Sequence, residues 1–347
     1  MTIVEAARGV TGGVDTHLDV HVAAALDPLG ALLGSESFAP TPAGYKELLG
    51  WLESFGAVTK VGVEGTGSYG ANLARFLRRG GIEVVEVDRP NRQARRRSGK
   101  SDSLDAIEAA RAALSGRASG KAKTRDGAVE AIRVLVVAKR SARQARTKAL
   151  VQMRHLGFSA PDQLQCRLKG LSVCALVDEG AKLRPSRSSD PVMAATKASI
   201  ASLAHRIQSL EREIAELDDT LAPLLSATAP ELLALYGVGP DSAAALLVAA
   251  GDNPERLRSE AAWAHLCGVA PIPASSGKST GRFRLNTGGN RQANSALWHI
   301  VITRLAWDPD TKTYFERRIK EGRTKREVIR SLKRYVAREV FRNLPRA

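Results

Sequence analysis

The chain is short of most of the features that would place it in a secreted, membrane or metal-thiolate class. Only three cysteines occur in 347 residues (Cys166, Cys174 and Cys267), odd in number, far apart and without a CxxC spacing. Zinc-thiolate sites and a disulfide framework are therefore not expected, and a reducing cytoplasm is the natural setting. No apolar run approaches the ~20 residues needed to cross a bilayer; the best candidate, around Ala243 to Ala250, is too short. No secretory leader is read at the start, and no Walker-type phosphate loop occurs, so no ATP-driven step is expected. Acidic residues are also scarce: 36 Asp and Glu stand against 52 Lys and Arg, a formal net charge of +16. An excess of that size argues for a nucleic-acid partner and against a membrane one. With 44% apolar residues the chain can still build a real core, and its length suits two or three domains.

Against this basic background, four carboxylates stand out. Asp15 lies in Gly13-Val14-Asp15-Thr16 and Glu64 in Val61-Gly62-Val63-Glu64-Gly65-Thr66-Gly67. Asp102 and Asp105 lie in Lys100-Ser101-Asp102-Ser103-Leu104-Asp105-Ala106. Hard divalent cations take oxygen ligands, and two of them ~4 Å apart clamp the attacking and leaving oxygens of a phosphodiester displacement. Acids converging inside a cationic protein point to nuclease or recombinase chemistry with Mg²⁺, or Mn²⁺ in its place.

The local patterns supply a scaffold for those acids. Gly12 to Thr16, Val20 to Leu26 and Leu32 to Phe38 read as three short strands, the last two joined by the turn Asp27-Pro28-Leu29-Gly30. Thr41 caps a helix to about Phe55, with Tyr45, Leu48, Leu49 and Leu52 on one face. Val58 to Glu64 is a strand, Ser68 to Arg79 a helix, Ile82 to Val87 a strand, and a further helix starts near Asp102. A three-stranded meander followed by alternating helices and strands is the order of an α/β RNase H-like domain.

Asp102 and Asp105, three apart at a helix start, project from one face. As a structural alternative, Asp102 is an N-cap and Asp105 complements the helix dipole. That alternative explains neither Asp15 nor Glu64, each costly at the end of an apolar strand unless paired. The loop before this helix carries Arg89, Arg92, Arg95, Arg96, Arg97 and Lys100. A solvated charge run is the plain reading; arginines beside an acidic metal site fit phosphate contact better.

From about Ala128 the chain turns helical and Arg/Lys-rich, with a Pro/Ser-containing break over roughly Ser159 to Pro191. Ile200, Leu203, Ile207, Leu210, Ile214, Leu217, Leu221 and Leu224 then follow a three-four heptad spacing, which supports a coiled coil. An oligomer seam is favoured over a hairpin with the helix near Val129 to Leu156. The last third is mostly α-helical. It opens with Gly237-Val238-Gly239-Pro240, a helix-hairpin-helix-like element whose Gly237 and Gly239 would leave backbone N–H groups open to a phosphate. Leu266 to Pro271 and the polar stretch Ala274 to Arg282 follow, then a basic amphipathic helix from Arg317 with Val328, Leu332, Tyr335 and Val336 on its packing side. His17, His21, His265 and His299 suit packing or solvent better than metal ligation. Trp263, Trp298 and Trp307 are assigned to the core. The expected domains are 1–125, 126–226 and 227–347.

Taken together, Gly-Val-Asp15-Thr, Glu64-Gly-Thr-Gly, Lys-x-Asp102-x-x-Asp105-Ala, Gly-Val-Gly-Pro and Gly268-Val269-Ala270-Pro271 resemble the DEDD-type transposases of bacterial insertion sequences. That group includes Piv-type invertases and bridge-RNA-guided recombinases. The resemblance implies a RuvC-like domain with Asp15, Glu64, Asp102 and Asp105 as catalytic metal ligands. It also implies a C-terminal serine nucleophile, matched by Ser276 before Gly277, with Ser275 adjacent. Without the resemblance, Ser275-Ser276-Gly277 would read as a linker. Lys278, Arg282 and Arg284 are then the cations beside the phosphate under attack. Further implications are DNA ends and target as substrate, a homo-oligomer (dimer or tetramer) sharing composite sites and, for some relatives, a structured noncoding guide RNA. Two competing readings remain: a junction-cutting endonuclease acting by hydrolysis, and a non-catalytic nucleic-acid scaffold.

Overall fold

The computed structural model describes residues 9–87, 102–118, 120–184, 190–274 and 283–345, apart from the Glu255 side chain. Two compact units result: one runs up to Gly127 and includes Gly251–Arg258; the other comprises Ala128–Ala250 and Ser259–Pro345.

The first unit is built on a mixed sheet of strands β1 (Gly9–Thr16), β2 (His21–Leu26), β3 (Leu32–Phe38), β4 (Ala57–Glu64), β5 (Glu83–Val87) and β6 (Gly120–Lys121). Their order is β3-β2-β1-β4-β5-β6. β2 runs antiparallel to β1 and β3, whereas β1, β4 and β5 are mutually parallel, the arrangement an RNase H-like domain requires. β6 is a two-residue addition on the far edge, antiparallel to β5.

Period-two alternation decides what covers each face. Val10, Val14, Val61 and Val63 pack with Leu48, Leu52, Leu73 and Leu77 of helices α1 (Pro42–Glu53) and α2 (Ala71–Arg79). Each of those four leucines is fully buried, a stabilisation of ~1.5–3 kcal/mol apiece. Thr41 caps α1 by accepting from the Gly44 N–H. Helix α3 (Asp102–Leu114) covers the opposite face, where Val22 and Ala24 meet Ala106 and Ile107. The Asp27 carboxylate closes the β2–β3 turn by accepting from the Leu29 and Ala31 N–H groups, with Gly30 at φ +87°.

The second unit is helical. Two long helices, α4 (Ala128–Phe158) and α7 (Pro191–Thr228), pack on each other within the chain. Ile200 and Ile207 lie in one core with Ala149 and Met153. Ile200, Leu203 and Ile207 of the heptad are thus used in an intramolecular hairpin. The expected break also fills in: α5 (Asp162–Leu168) and α6 (Val173–Lys182) dock there, the latter capped by Ser172. Leu164, Leu168, Leu176 and Val177 supply enough apolar surface to hold these short helices against α4 and α7, which local propensity alone would not do.

Beyond these lie α8 (Pro230–Ala234), α9 (Pro240–Ala250), α10 (Glu260–Leu266), the hairpin β7 (Ile272–Pro273)–β8 (Phe283–Arg284), and α11 (Arg291–Trp307), α12 (Pro309–Lys320) and α13 (Lys325–Arg342). The basic C-terminal helix divides in two at Gly322 (φ +87°), and a Thr324/Glu327 capping box restarts it. Trp263 is fully buried, but Trp298 and Trp307 are 42% and 74% exposed, so two of the three expected core tryptophans are surface residues.

Candidate active site

Residues that share a strand face explain how the acids meet. Gly13 and Asp15 point to the α3 side of β1, while Gly62 and Glu64 do so on β4. Gly13 and Gly62 are register partners, and the parallel ladder runs on through Val14 and Val63, so Asp15 and Glu64 end adjacent strands. The Thr16 hydroxyl donates to the Glu64 carbonyl at 2.8 Å and ties those ends together. Gly65 turns the chain away from β4 at φ +70°, and its carbonyl accepts from the Ser68 and Gly70 N–H groups. The Thr66 hydroxyl donates to the Glu86 carboxylate at 2.6 Å. That is the local reason for glycine after Glu64.

α3 delivers the other pair. Its first turn carries Asp102 and Asp105, and Asp105 is buried. Among the described residues, the group whose potential metal-ligating atoms all lie within 4.8 Å of one another is Asp15, His17 and Asp102. His17 Nε2 is 3.1 Å from the Asp15 carboxylate and 3.5 Å from that of Asp102. Asp105 stands close enough for its charge to act on Asp15. Glu64 is brought to the adjacent strand end, with its carboxylate outside the 4.8 Å group.

Burial is the main force on Asp15, whose side chain is only 7% exposed, and it pushes the carboxyl above the ordinary range. His17 opposes the shift through its charge and hydrogen bond, whereas Asp105 and Asp102 add to it. Crowded negative charge with an oxygen-rich donor set is the environment a hard divalent cation relieves. Asp15 and Asp102 are the residues placed to hold it, with the imidazole beside them.

His17 is a residue that sequence reasoning put in packing or solvent. The structure sets it among the acids, just past the end of β1, where the chain turns with the His17 N–H donating to the Val20 carbonyl. His21 keeps its packing role, fully buried and stacked on Tyr45 with ring centroids 5.9 Å apart.

Of the remaining expected site residues, Arg89, Arg92, Arg95, Arg96, Arg97, Lys100, Ser275, Ser276, Lys278 and Arg282 lie outside the described residues. Arg284 is exposed on β8. Gly237 has φ +77°, and space is open around a Cβ at Gly239. Next to them, Asp241 in the first turn of α9 is held by Lys139 at 2.6 Å and Arg143 at 2.7 Å.

A mixed sheet of this order, with acids at the ends of its central parallel strands and on the helix across them, defines an RNase H-like protein of the DEDD class. Comparison with known proteins is specific about the family. Residues 12–156 match the DEDD transposase model of the IS110 type, and residues 229–316 match the model for transposases of the IS116/IS110/IS902 family. The chain belongs to these insertion-sequence transposases. It is 31% identical over 137 residues to an uncharacterized 43.6 kDa protein of insertion element IS110 from Streptomyces coelicolor. Over 137 residues it is 26% identical to an uncharacterized 42 kDa protein of IS900 from Mycobacterium paratuberculosis. Each alignment covers 39% of this chain and 34% of the relative, so the match spans about a third of those proteins' length. Among the described residues no helix is long and apolar enough to cross a membrane.

Proposed function

We propose that the chain is a DNA transposase that cuts and rejoins strands by transesterification, with Ser276 as nucleophile and Asp15, Glu64, Asp102 and Asp105 holding Mg²⁺. The observation that carries this reading is the approach of Asp15 and Asp102 around His17, with Asp105 near, at the strand ends of an RNase H-like sheet. A divalent cation held there by Asp15 and Asp102 would polarise phosphate oxygens and offset their charge in the transition state. The protein's own part is to hold Asp15 dry against the sheet, to aim two acids from one helix turn, and to keep His17 between them.

In the proposed reaction the Ser276 hydroxyl gives up its proton as its Oγ attacks a DNA phosphodiester. One P–O ester forms as another breaks, and the departing strand oxygen takes up a proton. A hydroxyl of the exchanged strand later reverses the step and frees the serine. Phosphoester bonds are conserved throughout, so no nucleotide need be hydrolysed. Lys278, Arg282 and Arg284 neutralise the phosphate under attack. The partners assigned are the element's DNA ends and target, a homo-oligomer, and a structured noncoding RNA contacted through Arg89 to Lys100; the setting is the cytoplasm.

The test incubates purified protein, Mg²⁺, RNA transcribed beside the gene and labelled DNA spanning the element junction, beside Ser276→Ala and Asp102→Ala. A protein–DNA adduct on a denaturing gel that vanishes with either change supports serine transesterification. Free cleaved DNA persisting in Ser276→Ala replaces it with hydrolysis by the acids. No cleavage under any condition leaves a nucleic-acid scaffold. Omitting the RNA tests the guide directly.

A further inference from the structure

The second unit holds a cleft of about 1040 Å³, at the upper end of the ~300–1,000 Å³ usual for small-molecule sites. Eight arginine and lysine side chains line it, with not one carboxylate among the lining residues. Its floor is the turn at Gly268 (φ +68°), where a Cβ on Gly289 would fall 2.3 Å from Gly268 backbone atoms. The Asn294 amide secures that turn by donating to the Cys267 and Gly268 carbonyls at 2.8 and 3.2 Å. Its walls are β8, α12 and α13, on which Val328, Leu332, Val336 and Val340 face the core, while Arg330, Arg334 and Arg338 recur every fourth residue along the cleft.

The cations divide into two groups. Arg334 and Arg338 share Glu260 at 2.7 and 3.0 Å, and Arg318 and Arg317 share Glu321. Arg330, Lys333, Arg291 and Arg284 form no ion pair among the described residues. Lys333 is half-buried and donates to the Asn294 Oδ1 at 2.6 Å, so its ammonium is aimed by a neutral partner fixed to the cleft floor. Burial, with the charge of Arg330 adding to it, holds Lys333 below the ordinary lysine range. A desolvated cation without a counter-charge is a place for an anion.

The cleft also offers ring faces. Tyr335 and Phe283 are 51% and 63% exposed. Tyr335 packs edge-on against Tyr314, and Arg338 lies over its ring at 5.9 Å. Exposed aromatic rings among uncompensated cations are what unpaired strands use, since every base has a face to stack and every linkage a phosphate. A duplex hides its base faces, so the rings select against it.

We propose that this cleft docks an unpaired nucleic-acid strand, with backbone phosphates on Lys333, Arg330 and Arg291 and a base stacked on Tyr335. The proposal rests on the reading of the chain as a nucleic-acid enzyme and names what the C-terminal unit grips. Phe283 begins β8 and follows Ser276 by only a few residues in the sequence, so a strand held here is gripped close along the chain to the proposed nucleophile.

The test uses the full chain in EDTA with 12-nucleotide single strands carrying 5-iododeoxyuridine or 5-iodouridine. After irradiation, the adducts are mapped by mass spectrometry. An adduct on the peptide bearing Tyr335 is expected, from whichever of DNA or RNA is the natural strand. Lys333→Gln combined with Arg330→Gln is expected to cut that adduct at least fivefold, weaken binding about tenfold and flatten the log–log salt slope by about 0.7 per lost phosphate contact. Lys333→Arg, with the same charge, should retain most of the binding and controls for folding. Adducts confined to other segments, equal competition by duplex, or unchanged binding in the double variant would overturn the proposal. Asp102→Asn must still give the adduct, because docking needs no metal. If wild type crosslinks here yet never joins strands, the activity assigned above fails and this site stands.

Discussion

Gly13 and Gly62 are neighbours across β1 and β4, and both press against the backbone of the same helix. A Cβ on Gly13 would stand 2.1 Å from the Ala110 nitrogen and 2.3 Å from the Ala106 oxygen; one on Gly62 would meet the Ala109 oxygen at 2.6 Å. The alanines at 106, 109, 110 and 113 keep the helix side of this contact equally small. The pair therefore sets how closely α3 lies on the sheet, and with it how far Asp102 and Asp105 stand from Asp15. Two residues without a side chain fix the spacing of three acids.

Gly13→Ala should be costly and Gly50→Ala mildly beneficial. At position 13 the obstruction is helix backbone, which cannot swing aside, so a loss of ~3 kcal/mol or more follows from overpacking. Gly50 lies inside α1 with nothing near the added methyl, where alanine gains ~0.5–1 kcal/mol. Urea unfolding of both variants checks the pair. Equal midpoints would mean that α3 is free to shift on the sheet.

This contact also shows what was legible in the sequence. Alternation along Gly13-Val14-Asp15 and Gly62-Val63-Glu64 is readable, and it yields the strands, their faces and the adjacency of two acids. A glycine one residue short of each valine gives no sign of how closely a helix approaches, because the helix it meets, at Ala106 to Ala110, lies far along the chain. The heptad of α7 was equally plain, but a heptad does not say whose helix it meets: Ile200 and Ile207 find Met153 of the same chain. His17 was passed over because it lies just past the end of β1, where alternation along the strand no longer says which way a side chain points. Trp298 and Trp307 were misplaced for the converse reason, since large apolar side chains are common on surfaces.

His17→Ala should lower metal-dependent strand cleavage by about ten- to hundredfold, the cost typical of losing a partner to metal-ligating groups. The imidazole lies against both Asp15 and Asp102, so its loss leaves two carboxylates without a common partner. Cleavage measured across a Mg²⁺ titration reads the effect. Partial recovery at high Mg²⁺ is expected, and an unchanged titration curve would make His17 a bystander.

Asp241 ties α9 to Lys139 and Arg143 of α4. Burial works to raise its carboxyl, but hydrogen bonds from Lys139 and Arg143 outweigh that and hold it below the ordinary range. A depressed carboxylate contributes stability above its unfolded value and loses it as pH falls through the folded one. Asp241→Asn should therefore destabilise by ~1 kcal/mol at pH 7, a figure reduced because the carboxylate is half exposed. The difference should close in acid, once pH falls through the depressed folded value. Denaturant midpoints at pH 7 and in acid decide it, and a gap that persists in acid would assign the loss to packing.

Cys267 should be chemically silent in the native protein although two other thiols are not. Cys166 and Cys174 are exposed, whereas Cys267 is buried and burial pushes its thiol up to about 12. Since the thiolate is the reacting form, raising the pH from 7 to 9 gives Cys267 almost no nucleophile, and access is closed as well. A chromogenic disulfide reagent should count two thiols quickly and the third only in denaturant. The position gives the experiment a second use, because the Cys267 carbonyl accepts from Asn294 at the floor of the cationic cleft. Asn294→Ala removes that anchor and the acceptor that aims Lys333, so it should make Cys267 reactive and weaken strand binding together. Reactivity gained without weaker binding would separate the turn from the cleft and leave Lys333 positioned by something other than Asn294.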